Sequence, residues 1–544
     1  MEQHLLDEIK QTIRELPNQP NVTYLTAHEI AHRAEEFGTR TIFGNFNYVS
    51  TVKNLSTALT IYLGSDKVET RVSTQKKRDI KKSAPGTIRQ VHDYLQNAPL
   101  ARINCSMGDQ SSYTPQCGLY VSTYRKDCIR LAHMVAETLF PQRDSADPEM
   151  NVIVIPEWQE KERQILVFPE IGVTYILGTD YYGEVKNAFL RMAMWSAKQK
   201  GMLGLHAGTK ILRARNADGK LRKIGMVMFG IAATGKTTHS CHNHGLTDPG
   251  ESVEILQDDV VFWRKDGSSL GSERGFYIKT EALTPEVQPL LYKAAIQKNA
   301  ILENVMVDYD GNAYFDDRTL TANGRGIIQR NDLDEYCSPN INLPPVDELD
   351  GLIMAFMVRS YTAVPLVSKL TPEQAAMAFM LSESIDAAGS DQQTPVTPTR
   401  GISASPFLIG DASDEVNIFY DLLKAHGDKV ECYMLNTGGV GEIVEHGLDG
   451  ARRIKQKVTR VQIPEMASII RGIARGTISW REDPNWMVDT PEYVEGLDIS
   501  RFDLDMHYGQ DKIDSLIAAI RLERLDYSSQ FRRLNPAIRK AVEF

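Results

Sequence analysis

The segment Gly230-Ile-Ala-Ala-Thr-Gly-Lys-Thr237 fits the phosphate-loop pattern G-x-x-x-x-G-K-[ST] at every fixed position. It follows the apolar run Ile224-Gly-Met-Val-Met-Phe229, which predicts a buried strand. Glycines let the backbone turn its N–H groups toward phosphate oxygens, and a helix after Thr237 would present its positive end to them. The sequence therefore predicts a strand, a phosphate cradle and a helix start. The alternative is a glycine-bearing strand-to-helix turn that binds no nucleotide.

The polar side chains near this segment have the chemistry that a bound nucleotide needs. Lys236 would reach the β- and γ-phosphates, and the Thr237 hydroxyl would hold a Mg²⁺. Asp258 and Asp259 lie inside the apolar run 254–263, which predicts a strand that contains a carboxylate pair. Two adjacent carboxylates in such a run are costly without a cation, so one of them is predicted to associate with the metal rather than to lie in a surface turn.

Size and composition limit the class of protein. A chain of 544 residues with 42% hydrophobic and 24% charged residues is long enough for two or more globular domains. A net charge of −10 argues against a general nucleic-acid binder, although a local basic pocket is compatible with it. We find neither a signal-peptide pattern at the N-terminus nor an apolar run long enough to span a membrane. We therefore expect a cytoplasmic protein with no membrane or nucleic-acid partner.

Cysteine usage points to neither a disulfide framework nor a zinc ribbon. The six cysteines lie far apart and form no C-x-x-C pair. The segment His239-Ser-Cys-His-Asn-His244 resembles a metal cluster at first sight. Because structural zinc needs four converging ligands, and Cys241 would point away from His239 and His242 on a helix, we do not predict a zinc site there.

The rest of the chain alternates strand and helix patterns, which predicts an α/β fold. Strands are predicted at 59–63, 118–122, 151–155, 164–168 and 173–177, and helices within 1–40, over 184–200 and over 510–525. The basic segment 67–82 is interpreted as a solvated loop or as an anion-binding arm, and the turn-rich segment 391–405 as a mobile loop.

These features together resemble the ATP-dependent phosphoenolpyruvate carboxykinase family, mainly from residue 178 onward. The resemblance rests on many ordered stretches. As they stand in this sequence they are Tyr181-Tyr-Gly-Glu-Val-Lys186, His206, the phosphate loop through Thr238, Asp258-Asp259, Gly275-Phe-Tyr-Ile-Lys-Thr280, Ala300-Ile-Leu-Glu-Asn-Val305, Phe315-Asp-Asp317, Leu320-Thr-Ala-Asn-Gly-Arg325, Val364-Pro-Leu-Val-Ser-Lys-Leu-Thr371, Leu435-Asn-Thr-Gly438, Arg453 and Thr459.

The resemblance implies a two-domain α/β fold. Residues 1–205 would form an N-terminal substrate-side domain, and residues 206–544 a C-terminal domain that contains the phosphate loop and binds the nucleotide. The active site would lie in the cleft between them. The reaction implied is oxaloacetate plus ATP giving phosphoenolpyruvate, CO₂ and ADP, a step of gluconeogenesis, with Mg²⁺ and Mn²⁺ as cofactors. The implied partners are small molecules, and the oligomeric state is left open.

The resemblance also assigns roles to individual residues. His206 and Asp259 would bind Mn²⁺, and Asp258 with Thr237 would hold Mg²⁺. Arg325 would neutralise the transferring phosphoryl group, Lys186 would lie at the reacting centre, Arg71 would hold the substrate carboxylate, and Tyr181 would line the CO₂ side. The nucleotide-binding residues implied are Gly230, Thr234, Gly235, Lys236, Thr237, Thr238, Arg453 and Thr459.

The sequence departs from the family pattern at two places. The family has two consecutive lysines where this chain has Lys186-Asn187, so one fixed cation is missing beside the enolate. Around Arg71 the chain has Glu69-Thr-Arg-Val-Ser-Thr-Gln75 instead of the family's glycine-arginine-serine-proline signature. Two alternatives to the carboxykinase reaction are therefore open. One is a kinase on the same scaffold that phosphorylates another small molecule or a protein, and the other is a catalytically silent nucleotide-binding regulator.

Overall fold

The computed structural model describes residues 3–56, 59–68, 74–110, 112–159, 163–231, 234–384, 399–400, 407–446 and 452–543. The chain divides into two compact units. The first unit contains Met1–Gly204, Ser272–Leu333 and Pro406–Asp411, and the second contains Leu205–Gly271, Asp334–Ser405 and Ala412–Phe544. One boundary falls at residue 205, and residues 272–333, which include Arg325, group with the N-terminal part of the chain.

The first unit is built on an eight-stranded mixed sheet in the order β1-β5-β6-β8-β10-β9-β4, with β7 paired to β5. Its strands are β1 (Val22–Tyr24), β4 (Thr60–Tyr62), β5 (Leu100–Ser106), β6 (Gln116–Ser122), β7 (Phe140–Pro141), β8 (Glu149–Ile155), β9 (Gln164–Phe168) and β10 (Val173–Leu177). Strands β8, β9 and β10 are apolar and almost wholly buried, which requires cover on both faces of the sheet.

Helices supply that cover. The helices of the first unit are α1 (Gln3–Glu15), α2 (Ala27–Glu35), α3 (Gln75–Leu95), α4 (Ile129–Thr138), α5 (Tyr182–Gln199) and α7 (Pro289–Ala295), of which α7 packs against the other sheet of this unit. Buried side chains of α1 and α3 form one core with the alternate residues Ile153 and Ile155 of β8. The intervening residues of β8 are also buried, and α5 packs against this strand. The sheet is therefore a central layer between helices, as in other α/β proteins.

A second sheet of the first unit has five strands in the order β16-β20-β17-β3-β2. The strands are β2 (Thr39–Arg40), β3 (Phe46–Tyr48), β16 (Gly275–Lys279), β17 (Ile301–Glu303) and β20 (Arg325–Gln329), and the pair β18 (Met306–Val307) and β19 (Ala313–Tyr314) lies beside them in sequence. Register places Arg325 opposite both Lys279 and Glu303. This sheet therefore positions the residues of three matched stretches next to one another.

The second unit contains a ten-stranded sheet in the order β15-β14-β11-β12-β21-β25-β22-β31-β30, with β13 paired to β11. Its strands are β11 (Leu203–Arg215), β12 (Leu221–Phe229), β13 (Ser252–Gln257), β14 (Val260–Trp263), β15 (Ser269–Gly271), β21 (Gly351–Val358), β22 (Val367–Leu370), β25 (Val430–Asn436), β30 (Ser479–Asp483) and β31 (Val488–Tyr493). The three central strands β12, β21 and β25 are parallel, so their carboxyl ends meet at one edge.

Six α-helices and three two-stranded sheets complete the described part of the second unit. The helices are α6 (Lys236–Ser240), α8 (Pro372–Met380), α9 (Ala412–His426), α10 (Ile463–Arg475), α11 (Gln510–Ser529) and, at the end of the chain, the short α12 (Pro536–Lys540). The two-stranded sheets are β23 (Glu383–Ser384) with β24 (Thr399–Arg400), β26 (Gly439–Val440) with β29 (Thr459–Arg460), and β27 (Ile443–His446) with β28 (Arg452–Gln456).

Aromatic side chains hold the helices of the second unit to its sheet. Phe229 of β12 stacks on Phe356 of β21 with ring centroids 4.9 Å apart. Phe379 of α8 and Phe419 of α9 meet these rings edge-on and stack on each other. Since Phe229 is the last residue of β12, this cluster fixes the point at which the phosphate-loop segment leaves the sheet.

Several sequence expectations can be compared with these elements. The predicted strands at 164–168 and 173–177 coincide with β9 and β10, and the predicted helices over 184–200 and 510–525 correspond to α5 and α11. The mixed α/β fold predicted from the sequence is confirmed. Among the described residues, the helices are too short or too polar to form a membrane span.

Other expectations need correction or fall outside the described residues. The basic residues from Lys76 to Lys82 lie in α3, because Thr74 caps a helix there, and not in a loop. Asp258 and Asp259 are not inside a strand, because the chain bends between β13 and β14 at these two residues. Most of the segment 391–405 lies outside the described residues, and so does Arg71.

Candidate active site

The phosphate-loop segment leaves β12 at Gly230 and ends in the short helix α6. Gly235 precedes α6 in a left-handed conformation with φ of 88°, which disfavours any residue with a Cβ. A Cβ at Gly230 would collide with the Thr234 hydroxyl, which donates a hydrogen bond of 2.8 Å to the Ile231 carbonyl. Ala232 and Ala233 lie outside the described residues. The two glycines of the pattern are therefore required by the local backbone.

A threonine from another part of the chain supports this turn. Thr437 directly follows β25, and its hydroxyl lies 2.7 Å from the Thr234 carbonyl and 3.2 Å from the Val358 carbonyl. Sequence reasoning matched the stretch that contains Thr437 but gave this residue no role. The sequence signal for Thr437 is its stretch Leu435-Asn-Thr-Gly438 at the carboxyl end of the buried strand β25. This strand is parallel to β12, and β21 lies between them.

Five predicted residues converge in the second unit. Lys236 Nζ lies 3.1 Å from Asp259 Oδ1 and donates to the Asp258 carbonyl at 2.6 Å. His206 Nε2, on β11, lies 2.9 Å from the same Asp259 oxygen. The Thr237 hydroxyl donates to Asp258 Oδ2 at 3.0 Å. The bend between β13 and β14 therefore presents both carboxylates to α6.

The donor atoms of this cluster match two kinds of divalent cation. A hydroxyl beside a carboxylate, as at Thr237 and Asp258, is the donor set that Mg²⁺ takes near a phosphate. An imidazole beside a carboxylate, as at His206 and Asp259, suits a transition ion such as Mn²⁺. The residues present therefore fit both ions by donor type. The Lys236 ammonium supplies positive charge to Asp259 in this arrangement.

A second group of predicted residues lies in the first unit around Arg325. Its guanidinium lies 5.3 Å from the centroid of the Tyr277 ring, within cation–π range, and it hydrogen-bonds Tyr181. Tyr181 precedes α5 and its hydroxyl accepts a bond of 3.0 Å from the Asn323 amide. Arg325 and Tyr181, which are far apart in sequence, therefore belong to one cluster.

Glu303 is the carboxylate of this cluster and is completely buried. It accepts hydrogen bonds from the Tyr277 hydroxyl at 2.7 Å and from the Tyr182 backbone N–H at 3.2 Å. Burial raises the pKa of Glu303, whereas Arg130 and these hydrogen bonds act in the opposite direction. Glu303, Tyr277 and Asn323 lie in stretches that match the family, but the sequence alone gave these three residues no role. Pairing of β16, β17 and β20 is what unites them.

Arg325 stays cationic in this setting. Burial alone would lower its pKa, but Tyr181, Tyr277 and Glu303 outweigh burial and hold the pKa above its ordinary value. The Arg325 Nε atom is buried and, among the described residues, has no hydrogen-bond partner. A partly buried guanidinium whose buried Nε donor is unused suits an anionic ligand.

Lys186 and Asn187 both lie buried in α5. Lys186 Nζ is 3.1 Å from Glu273 Oε2, and both side chains are almost fully shielded from solvent. Loss of one partner from a buried ion pair leaves the other charge uncompensated. Glu273 therefore holds the Lys186 side chain in place. The structure thus places the lysine of the Lys186-Asn187 pair, and not the asparagine, against a carboxylate.

The remaining predicted residues are placed separately. Arg453 is exposed on β28, opposite Glu445 on β27. Thr459 lies on β29, opposite Val440 of β26. Val440 comes three residues after Thr437 in the sequence. Thr238 lies in α6, two residues after Lys236. The nucleoside-binding role expected of Arg453 and Thr459 stays a prediction.

Comparisons with known proteins agree with this arrangement of residues. A sequence model of the family described as phosphoenolpyruvate carboxykinase matches residues 18–500. The chain belongs to this family. Membership makes it an enzyme of the ATP-dependent carboxykinase type, and the family resemblance stated from the sequence is confirmed.

Three curated members of the family show how far the similarity extends, and each is named phosphoenolpyruvate carboxykinase (ATP). The protein of Aeropyrum pernix is 30% identical over 414 residues, which cover 76% of this chain and 77% of that protein. The protein of Rhizobium etli is 28% identical over 60% of this chain and 55% of its own length. That of Rhizobium rhizogenes is 26% identical over 67% and 64%.

The buried bond between Tyr277 and Glu303 gives a first testable prediction. Tyr277→Phe keeps the ring against Arg325 but leaves Glu303 with one hydrogen bond fewer in a buried site. We expect the free energy of unfolding to fall by about 1–3 kcal/mol, measured by urea denaturation. The matched control is Tyr314→Phe, since the Tyr314 hydroxyl makes the same kind of bond to Asp308 at the surface. Equal losses in the two variants would contradict the prediction.

Proposed function

We propose that this chain converts oxaloacetate and ATP into phosphoenolpyruvate, CO₂ and ADP, using the predicted residues of the two clusters. The observation that carries the proposal is the convergence of His206, Lys236, Thr237, Asp258 and Asp259. A phosphate-loop lysine, a hydroxyl and a carboxylate in one place are groups that phosphoryl transfer from ATP uses, and the imidazole beside the second carboxylate offers a site for a further cation. The family supplies the decarboxylation half of the reaction as an expectation.

Binding of the ATP phosphates is assigned to the turn and to α6. Gly230, Thr234, Gly235, Thr237 and Thr238 supply backbone and hydroxyl donors, and Lys236 meets the β- and γ-phosphates. Lys236 now neutralises Asp259, so its ammonium has to turn from a carboxylate oxygen to a phosphate oxygen when ATP binds. That exchange would free the Asp259 oxygen that His206 also faces.

Two divalent cations are assigned to this cluster. Thr237 with Asp258 would hold Mg²⁺, and His206 with Asp259 would hold Mn²⁺. Bound cations would supply positive charge at the phosphate oxygens and at the enolate oxygen. The protein's own contribution is to fix the hydroxyl, imidazole and carboxylate oxygens before the ligands arrive.

The substrate side is assigned to the first unit. Arg325, held by Tyr277 and Glu303, would face the transferring phosphoryl group, and Lys186 would stabilise the enolate. Tyr181 would line the CO₂ side, and Arg71 would bind the substrate carboxylate. Once CO₂ has left, the enolate oxygen attacks the γ-phosphorus, the bond to the β-phosphate oxygen breaks, and ADP leaves with that electron pair.

The remaining assignments follow the family resemblance. Arg453 and Thr459 would bind the nucleoside. We assign the substrate-side role to residues 1–205 and the nucleotide-side role to residues 206–544, with Arg325 added to the substrate side because its cluster contains Tyr181. The partners are small molecules, and the compartment we expect is the cytoplasm.

A coupled assay tests the proposal. Purified protein with oxaloacetate, ATP, Mg²⁺ and Mn²⁺ is expected to form phosphoenolpyruvate and ADP in equal amounts, with loss of activity when both metals are chelated. Formation of ADP without phosphoenolpyruvate would contradict the carboxykinase reaction. That result would instead indicate a kinase with another phosphoryl acceptor, an alternative that the family comparisons do not favour.

Asn187 supplies a second prediction, because the family resemblance expects a lysine there. Asn187→Lys restores a cation next to Lys186, in the first half of the buried helix α5. We expect the rate of phosphoenolpyruvate formation to rise by about 10²-fold, the effect of one oxyanion-stabilising group. Initial rates at saturating ATP measure this change. Asn187→Gln, which is larger but uncharged, is expected to give no rise. An equal rise in both variants would show that charge is not the cause.

A further inference from the structure

The histidine segment after α6 surrounds a buried lysine that the proposed function does not use. Lys210, on β11, is completely buried. Its ammonium donates to the backbone carbonyls of His239 and His242, the second at 3.3 Å, and it also meets His244 Nε2. Three polar partners from one short segment therefore converge on a single side chain of the sheet.

These partners mark the carboxyl end of α6. The last turn of a helix has carbonyl groups without an internal partner, and a lysine is a favourable donor to them. The His239 carbonyl belongs to that last turn, and His242 lies just beyond it. Lys210 therefore ties α6 to β11, the same strand that carries His206.

The segment beyond α6 is held in a shape that suits this contact. His244 has a φ of 55°, a left-handed conformation that costs energy for a residue with a Cβ. Its N–H donates to His242 Nδ1 at 2.8 Å, and its carbonyl accepts from Arg471 at 3.2 Å. The rings of His239 and His244 are nearly parallel, with centroids 6.1 Å apart. The strained backbone brings the His244 ring to Lys210.

Burial disfavours the charged form of Lys210 in this cluster. Burial lowers the pKa of Lys210 to about 7, and of the groups around it only Cys241 acts to raise it. Burial also lowers the pKa values of His239, His242 and His244.

The three histidines around Lys210 do not form a three-ligand metal group in the part of the chain that the structure describes. Among the described residues, the only group of three His, Cys, Asp or Glu ligand atoms within 4.8 Å of one another is Asp127, Cys128 and Asp180. That group is in turn neutralised by Arg125 and Arg130, which pair with Asp180 at 3.1 Å. The imidazoles near Lys210 pack against one another and take part in hydrogen bonds within the segment.

We propose that Lys210 is a positioning residue for nucleotide binding, because it fixes the carboxyl end of the five-residue helix whose first residues are Lys236 and Thr237. The inference rests on the proposed function, since it assumes that these two residues meet the phosphates. In so short a helix, release of the last turn displaces the first. Lys210 touches no ligand itself and acts only through α6.

The test compares Lys210→Met with the same change at Lys220, an exposed residue in the β11–β12 turn. Isothermal titration with Mg·ATP is expected to show affinity about tenfold weaker in K210M, the equivalent of one or two net hydrogen bonds. K220M is expected to match the wild type. In the coupled assay the KM for ATP should rise in K210M, whereas the KM for oxaloacetate should stay within about twofold, a split that general destabilisation would not produce. A folded K210M with wild-type ATP affinity would overturn the inference.

Hydrogen exchange on the wild-type chain keeps the inference testable if K210M does not fold. Coupling between two sites is reciprocal, so saturating Mg·ATP is expected to slow exchange of the amides from His239 to Leu246. Unchanged exchange in this segment while ATP is bound would overturn the role of Lys210 and leave the proposed function intact. A wild-type chain that binds no Mg·ATP would overturn both.

Discussion

Lys236→Met is expected to reduce kcat/KM for ATP by about 10³-fold, the scale set by loss of one preorganised group at a developing charge. The Lys236 ammonium has contacts of 2.6 Å with the Asp258 carbonyl and 3.1 Å with Asp259. Methionine keeps the length of the side chain but donates no hydrogen bond and carries no charge. The variant therefore loses the cation for the phosphates and also leaves Asp259 without its ammonium.

Steady-state rates and Mg·ATP titration together measure this loss. Lys265→Met is the matched control, because it replaces the same side chain by methionine at an exposed position. Lys265 lies in the turn between β14 and β15 of the same sheet. We expect wild-type kinetics from K265M and a cooperative unfolding transition from both variants. A folded K236M that keeps wild-type kcat/KM would mean that the phosphates bind elsewhere, and the assignment of the turn would be wrong.

Local sequence was sufficient to predict the strand, turn and helix around Lys236. The pattern depends on glycines at fixed positions, and the φ of Gly235 and the close approach of Thr234 to Gly230 show why other residues are excluded. Likewise, the apolar runs that became β9 and β10 are buried on both faces, so their patterns were continuous and easily recognised. In these cases the cause of the structure lies within a few residues.

Other features depend on contacts between distant parts of the chain. Asp258 and Asp259 look like part of a strand because apolar residues flank them, but the bend there lets Lys236 and Thr237 reach both residues. The basic segment 67–82 looks like a loop by composition, yet its residues from Gln75 onward belong to the helix α3, whose apolar residues Ile80 and Ala84 pack in the core. Tertiary contacts decide both cases, and a single sequence does not contain them explicitly.

The Lys210 cluster is another contact between distant parts of the chain that the sequence did not predict. The spacing of His239, His242 and His244 resembles a metal-binding pattern, whereas nothing in the sequence around Lys210 indicates a role for it. In the structure the central residue is Lys210, which lies on the strand β11 and donates hydrogen bonds to the backbone carbonyls of His239 and His242. Backbone acceptors carry no residue-specific signal, so sequence inspection of the histidines alone does not reveal their partner.

Arg325→Lys is expected to lower kcat by about 10³-fold, at the lower end of the effect of an arginine that stabilises a transferring phosphoryl group. Lysine keeps the positive charge but lacks the planar, forked donor group of arginine. It would also lose the contact with the Tyr277 ring and the bond to Tyr181, which hold the guanidinium in place. Because Lys236 and Thr237 are unchanged, we expect ATP affinity to stay within about threefold of the wild type.

The split between kcat and affinity distinguishes this role from simple support of the fold. Arg318→Lys is the control, since Arg318 is an exposed arginine of the same unit that pairs with Glu281. Single-turnover measurements of phosphoryl transfer are expected to show the loss in R325K and none in R318K. If R325K instead weakened ATP binding and left the transfer rate intact, Arg325 would be a ground-state ligand of the nucleotide. The cluster of Tyr181, Tyr277 and Glu303 would then serve binding and not the chemical step.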